Sequence, residues 1–289
     1  MTTAHSDADE PAVPAGDDGL VRVRLDLGYD GTNFSGWARQ PTRRTVCGVL
    51  EDALSLLTRL DIRVTVAGRT DAGVHASGQV THLDLPVEHP LATDPDELVR
   101  RLNRMLPGDV RVFAGRRVPA AFDARFGALR RHYVYRLSDA PWGVEPMIRH
   151  NTLGWPGRLD IEVLNASAEA LLGEHDFAAF CKRRDGATTV RALERLHWTR
   201  VSEHVVHAEV SADAFCHSMV RSLIGALLAV GDGRRPVNWP GSLLQLRQRA
   251  NDVAVAPAHG LSLVGVDYPA DGELAARTTV TRRLRVAAD

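Results

Sequence analysis

Lysine is almost missing from this chain: of 35 basic residues only Lys182 is not arginine. A GC-rich genome produces such a ratio by itself. The placement of the arginines, not their number, therefore has to carry any argument about phosphate or base recognition. Cysteine is scarce too. Cys47, Cys181 and Cys216 are odd in number, lie far apart and contain no C-x-x-C pair. That argues against a disulfide framework and a zinc site and fits a reducing compartment. No apolar run is long enough to span a bilayer, the longest being Leu223 to Val230, so a membrane protein is excluded. The acidic N-terminal stretch lacks the apolar segment of a signal peptide, and a cytoplasmic location is expected. Catalytic signatures are missing as well. No lysine follows a glycine-rich loop as a nucleotide-binding loop requires, and neither Ser35 nor Ser77 has the glycines of a nucleophile elbow. The 12 histidines form no H-x-x-x-H pair, so no metal is expected.

What remains is an ordinary globular composition, 44% apolar and 25% charged, with enough length for two domains. Net charge is −1, but it is unevenly spread. Asp7, Asp9, Glu10, Asp17 and Asp18 all precede the first arginine, so removing five of the 36 acids leaves 31 against 35 bases, a body near +4. Residues 1–19 read as a disordered acidic tail.

Periodicity organises the rest. Val21, Val23, Leu25 and Leu27 alternate as a half-buried strand does. Thr45 precedes a helical stripe of Val49, Leu50, Leu54, Leu57 and Leu60, and Asp94-Pro95 opens a second helix bearing Leu98, Leu102, Met105 and Leu106. Strands are expected at 62–66, from Thr81, and around Val110 and Val112. Together these give the split β-α-β order. A second series follows: a strand through Leu129, Tyr133, Tyr135 and Leu137, a helix capped by Asp160, strands near 193–201 and 205–211, an apolar helix from Val220 to Leu228, and a strand from Leu261 to Val266. The expectation is an α+β protein of two ferredoxin-like lobes, similar to RNA-recognition modules, with mainly antiparallel sheets flanking a central basic cleft. The lobes span 20–117 and 118–269, and 270–289 is expected to be a weakly structured tail.

One segment does not fit a connecting role. Residues 67 to 80, AGRTDAGVHASGQV, separate two strand signals and carry an arginine, a carboxylate, a histidine and three glycines, more than an ordinary hairpin turn needs. Alone, Arg69 and Asp71 read as a local ion pair or Asx turn that shapes the loop. Alone, Tyr133 reads as strand core.

The loop GRTDAGVHASGQV resembles the active-site loop of the tRNA pseudouridine synthase A family. YDGTNFSGWARQ, LNRMLPGDVRV, FDARFGALRRHYVYRL, LLGEHDFAAF, ADAFCHSMVRSLIGALLAVG and APAHGLSLVGVDY are similar to further motifs of that family, in the same order, over roughly residues 20 to 269. By position, Asp71 matches the catalytic aspartate and Tyr133 the active-site tyrosine that binds substrate. Arg221 matches the arginine that pairs with the aspartate, and Arg69 the loop arginine associated with substrate binding. Ala38, Cys47 and Gly127 depart from the usual residues. The resemblance implies isomerisation of uridine to pseudouridine in the anticodon arm of tRNA, at positions 38–40, by a homodimer that needs no cofactor.

The chemistry suits these residue types. The N1–C1′ bond breaks, the uracil turns, and C5 joins C1′. A carboxylate beside the sugar attacks C1′ or removes a sugar proton, and the residues leave both routes open. An arginine partner favours the ionised carboxylate. An aromatic face holds a detached base, a contact of about 1–3 kcal/mol. Flipping the uridine out of a stem costs a few kcal/mol, which backbone contacts must offset. Arg39, Arg125 and Arg131 are the candidates for those contacts. His75 and His217 read as supports of loop and helix. Two rival functions remain at this level: a non-catalytic RNA-binding module, and a hydrolase of glycosidic bonds, which would want a second acid.

Overall fold

The computed structural model describes residues 19–182 and 188–282. The expected acidic tail, Gly19 apart, lies outside the described residues, as does the chain beyond 282. Strand β1 (Leu20–Tyr29) buries Val21, Val23, Leu25 and Leu27, as the alternation requires. Helix α1 (Val46–Thr58) starts at Thr45, whose side chain accepts from the Gly48 N–H, and buries Leu50 and Leu54. Only Thr65–Val66 of the expected 62–66 strand pairs, as β2. The Val64 N–H instead meets the buried Glu51 carboxylate at 3.1 Å. Strand β3 (His75–Pro86) begins earlier than expected and takes up the end of the segment read as loop, leaving residues 67–74 as the connection. A single turn, α2 (Pro90–Thr93), precedes α3 (Pro95–Met105). Asp94 caps α3, Leu98 and Leu102 are buried, and Met105 faces outward. Strand β4 (Val110–Val118) closes this half.

The second half repeats the plan. Strand β5 (Arg130–Ser138) and the short β6 (Leu153–Gly154) are followed by α4 (Ile161–Glu169) and β7 (Gly173–Asp176). Then come β8 (Val190–Arg200), β9 (Val205–Ala212), α5 (Met219–Gly231), the turn α6 (Trp239–Ser242) and β10 (Leu261–Asp267). Helix α5 is buried nearly all round. Each of Leu223, Ile224 and Leu227 contributes about 1.5–3 kcal/mol by leaving water. It also passes so close to the backbone that a Cβ on Gly225 would sit 1.8 Å from the Ala254 carbonyl oxygen.

The two halves do not form two separate sheets. A ten-stranded sheet, mostly antiparallel, runs β4-β1-β3-β10-β5-β9-β8-β7, with β2 on β3 and β6 on β5. The join is a short parallel pairing of β10 with β3, Ser262 opposite His75 and Leu263 opposite Ala76. Strand β2 pairs only with Thr81 and His82, so the His75 end of β3 is free to receive β10. A main core runs through both halves.

The expected weakly structured tail is corrected in part. Residues Leu274–Arg282 form helix α7, and Leu274 joins Phe122, Ala124, Val80 and Val118 in a second apolar cluster. The guanidinium of Arg277 donates to the Ala128 carbonyl at 3.1 Å. Leu274 and Val280, six residues apart in a run of Ala, Arg and Thr, leave no amphipathic period to read. The cysteine reading is corrected as well: Cys181 and Cys216 are joined as a disulfide with a Cα–Cα distance of 5.7 Å. Their separation of 35 residues matches no motif spacing, and only folding brings them together.

Candidate active site

The loop of residues 67–74 rests on the segment after β1. Trp37 N–H donates to the Thr70 carbonyl at 3.1 Å, and Gly73 N–H donates to that of Phe34 at 3.3 Å. The glycines make the seat. A Cβ on Gly31 would lie 2.1 Å from the Val74 oxygen, and Gly36 holds φ at 92°, a value L side chains rarely adopt. Beneath the loop, Tyr29 Oη and Thr70 Oγ1 are 2.8 Å apart, and Gln79 Nε2 donates to the Gly68 carbonyl at 2.8 Å. Burial pushes the Tyr29 phenol up to about 12. The motifs YDGTNFSGWARQ and GRTDAGV are thus two faces of one packed unit.

Asp71 stands at the tip, a quarter exposed. It makes no ion pair with Arg69 among the described residues; its partners come from the far half of the chain. Arg221 Nη1 is 3.5 Å from Oδ2, and the Ser218 hydroxyl donates to the same oxygen at 3.3 Å. His217 Nε2 lies 3.3 Å from Oδ1. Arg221 is itself held, its Nε donating to the Ala256 carbonyl at 2.7 Å. Ser218 is the N-cap of α5 and takes a left-handed φ of 65°. A guanidinium, a hydroxyl donor and the positive end of a helix all favour a carboxylate at this spot.

Tyr133 is buried on β5 beside the same cleft, its ring packed perpendicular to that of Phe215 with 5.2 Å between centroids. Burial, with a smaller push from Tyr29, raises the Tyr133 phenol far above its ordinary range.

The cleft has a volume of about 1120 Å³ and is lined from both halves. Seven arginines reach it, against the carboxylates of Glu51 and Asp71, a balance that attracts a polyanion. Arg69 and Arg125 are exposed there, Arg125 stacked at 5.1 Å on Phe126. Arg39 lies on the rim, engaged by Glu51 at 2.9 Å and Asp52 at 2.7 Å. Arg131 is different from the expectation of an RNA contact. It is only 8% exposed, and its guanidinium donates to the carbonyls of Asp213, Ala67 and Arg125 at 2.6, 2.9 and 2.7 Å. Loss of water lowers its pKa. It braces the root of the Asp71 loop against the second half, with three of its five N–H donors spent on backbone carbonyls.

Sequence reasoning missed Tyr29, Phe215 and Ser218 as site residues, and of His217 it saw only the supporting role. Their proximity to Asp71 and Tyr133 in the chain order of motifs was the one available signal. Among the described residues no three His, Cys, Asp or Glu side chains converge in a metal-holding group, and no helix is long and apolar enough to cross a membrane.

Comparison with known proteins bears on this geometry. A family model described as tRNA pseudouridine synthase matches residues 28–126 and 167–269. The tRNA pseudouridine synthase A of Frankia casuarinae is 60% identical over 270 residues, covering 93% of this chain and 97% of the relative. That of Streptomyces griseus is 54% identical over 92% of this chain and 95% of the relative, and that of Mycobacterium leprae 52% over 92% and 96%. With the Asp71 loop, its seat and the α5 segment all inside the matched regions, the chain belongs to the tRNA pseudouridine synthase family.

Proposed function

We propose that this protein isomerises uridine to pseudouridine in the anticodon stem-loop of tRNA, at positions 38–40, with Asp71 as the catalytic carboxylate. The observation that carries the assignment is the convergence on Asp71 of Arg221 and Ser218, more than 145 residues away in the chain, inside a basic cleft walled by Tyr133. A uridine flipped into this cleft brings C1′ to the Asp71 carboxylate. Arg221 pairs with that carboxylate and aims it, and Tyr133 offers an aromatic wall for the detached uracil. Its hydroxyl, neutral near pH 7 as an ordinary phenol is, helps remove the C5 proton. Arg69 and Arg125 take the phosphates, and Arg39 extends the basic rim. Atoms are conserved in the isomerisation, so no cofactor is consumed. The protein works in the cytoplasm, where its tRNA is, as a homodimer whose subunits grip one tRNA.

The test incubates purified protein with an unmodified tRNA bearing uridines at those positions and no added cofactor, and maps product by a pseudouridine-selective adduct. Product from the wild type, with none from Asp71→Ala despite retained tRNA binding, is the expected outcome. Absence of product from the wild type, with salt-sensitive binding intact, would reduce the protein to an RNA-binding module. Free uracil would point to hydrolysis.

A further inference from the structure

The Cys181–Cys216 pair sits where it can sense the cleft. Cys181 ends the 3-10 turn of residues 178–180 and is only 1% exposed. Cys216 lies in the turn between β9 and α5, is partly exposed and lines the cleft wall. Its neighbours in sequence are the residues that define the site. Phe215 meets the Tyr133 ring, while His217 and Ser218 meet the two oxygens of Asp71. The two segments are also joined by backbone, Lys182 N–H donating to the His217 carbonyl at 3.0 Å. The Cα atoms are 5.7 Å apart, within the range that disulfides span. Access is one-sided: a reagent reaches Cys216 from the cleft and cannot reach Cys181 first. Cys47 is buried in the first half, and burial pushes its thiol up to about 12, so it is a poor competitor.

We propose that Cys181 and Cys216 form a reversible thiol–disulfide site, opened and closed by low-molecular-weight thiols and disulfides that enter through the empty RNA cleft. In the closing direction the Cys216 thiolate attacks one sulfur of a small disulfide. One small thiol leaves, and a mixed disulfide forms on Cys216. The Cys181 thiolate then displaces the second small thiol and closes the protein disulfide. Two protein thiols are oxidised, the small disulfide is reduced to two thiols, and the two protons leave with them. A small thiolate attacking Cys216 reverses the sequence. The closed bond pins the Phe215–Ser218 turn, and through it the contacts to Asp71. RNA in the cleft covers Cys216 and slows exchange both ways. This last point rests on the cleft being the RNA site.

The full chain is equilibrated in glutathione buffers from reducing to oxidising, quenched with acid, alkylated and mapped by peptide mass spectrometry, with and without tRNA whose binding is measured in parallel. The expected result is a loss of two hydrogens on oxidation, one linked peptide pair carrying Cys181 and Cys216, and full reversal by excess glutathione. If RNA blocks access, the rate falls by about 1 + [RNA]/Kd, hence roughly tenfold with RNA at ten times its Kd. In Cys181→Ser, Cys216 has no partner and keeps the glutathione adduct, which places an anionic tripeptide in the cleft and weakens tRNA binding until reduced. A wild type that never closes the pair, or that accumulates the adduct on Cys216 beside a free Cys181, overturns the site. Closure at an undiminished rate with tRNA bound overturns the link to the cleft. The linked peptide is read without any turnover, so failure of the isomerase assignment and failure of the disulfide site give different results.

Discussion

The two halves order their main strands alike: β4-β1-β3-β2 in the first and β10-β5-β9-β8 in the second, each the last, first, third and second when the short β6 and β7 are left out. They are nevertheless built to different standards of rigidity. The first half presents Asp71 on a loop shaped by glycines, and its α3 buries only Leu98 and Leu102. The second half holds what Asp71 binds on the first turn of α5, a helix buried almost throughout. A carboxylate on a loop is precise only if something stiffer grips it. Here the stiff element is the partner half, so the site exists only where the β3–β10 join keeps the halves in register.

The largest break in this comparison comes from the loop side of the contact. Asp71→Asn keeps the shape and removes the charge, and it lowers single-turnover pseudouridine formation by at least about 10³-fold. Melting temperature and tRNA affinity should stay near wild type.

Breaking the stiff side is next. Gly225→Val has to push a side chain into the Ala254 backbone, 1.8 Å from where a Cβ would be. It should destabilise by about 3 kcal/mol or more, read as a lower denaturation midpoint. Gly68→Ala, with nothing within 4 Å, is the matched control in the loop and should leave the midpoint nearly unchanged.

Arg131 tests the brace between the halves. Arg131→Met strands three carbonyls and should destabilise by about 2–3 kcal/mol without changing the salt dependence of tRNA binding. If the salt slope falls and stability does not, Arg131 is a phosphate contact after all.

His82 probes the back of the first half, where its Nδ1 accepts from the Ala124 N–H at 3.1 Å. Burial, aided by Arg22, lowers its pKa to about 4, so the folded protein resists protonation that the unfolded chain accepts. Its stabilisation is complete above about pH 6.5 and is lost as pH falls toward 4, a loss of at most about 3 kcal/mol. His82→Gln should flatten that part of the stability profile in chemical denaturation.

The smallest effect belongs to the exposed cleft arginines. Arg125→Gln should leave stability unchanged, weaken tRNA binding across sequences alike and reduce the salt slope by about 0.7–0.9.

Much of this was legible in the sequence. The alternation in β1, the Thr45 and Asp94 caps and the apolar run of α5 all report short-range physics, and each formed its element. The motif around Asp71 located the loop, although the strand after it starts at His75. Other features were not legible. Val64 left its expected strand because Glu51, on a helix, took its N–H. Tail helix α7 is anchored, among the described residues, by Leu274 and Arg277, which give no periodic signal.

By itself, then, the sequence determined most of the long elements and the order of the two half-plans, and its resemblance to a family marked Asp71, Arg69, Arg221 and Tyr133 as the residues to watch. Periodicity, capping and motif spacing act within a few turns of chain and need no partner. Only the tertiary structure decided which groups meet. It placed Arg221 and Ser218 on Asp71, turned Arg131 from a free cation into a buried brace, joined Cys181 to Cys216, and fused the two sheets through β10. The Asp71 and cysteine pairings join residues 35 to 150 apart, Arg131 reaches carbonyls up to 82 residues away, and the join depends on which strand edge is left open. Such contacts are set by how the whole sheet packs, which no local pattern encodes.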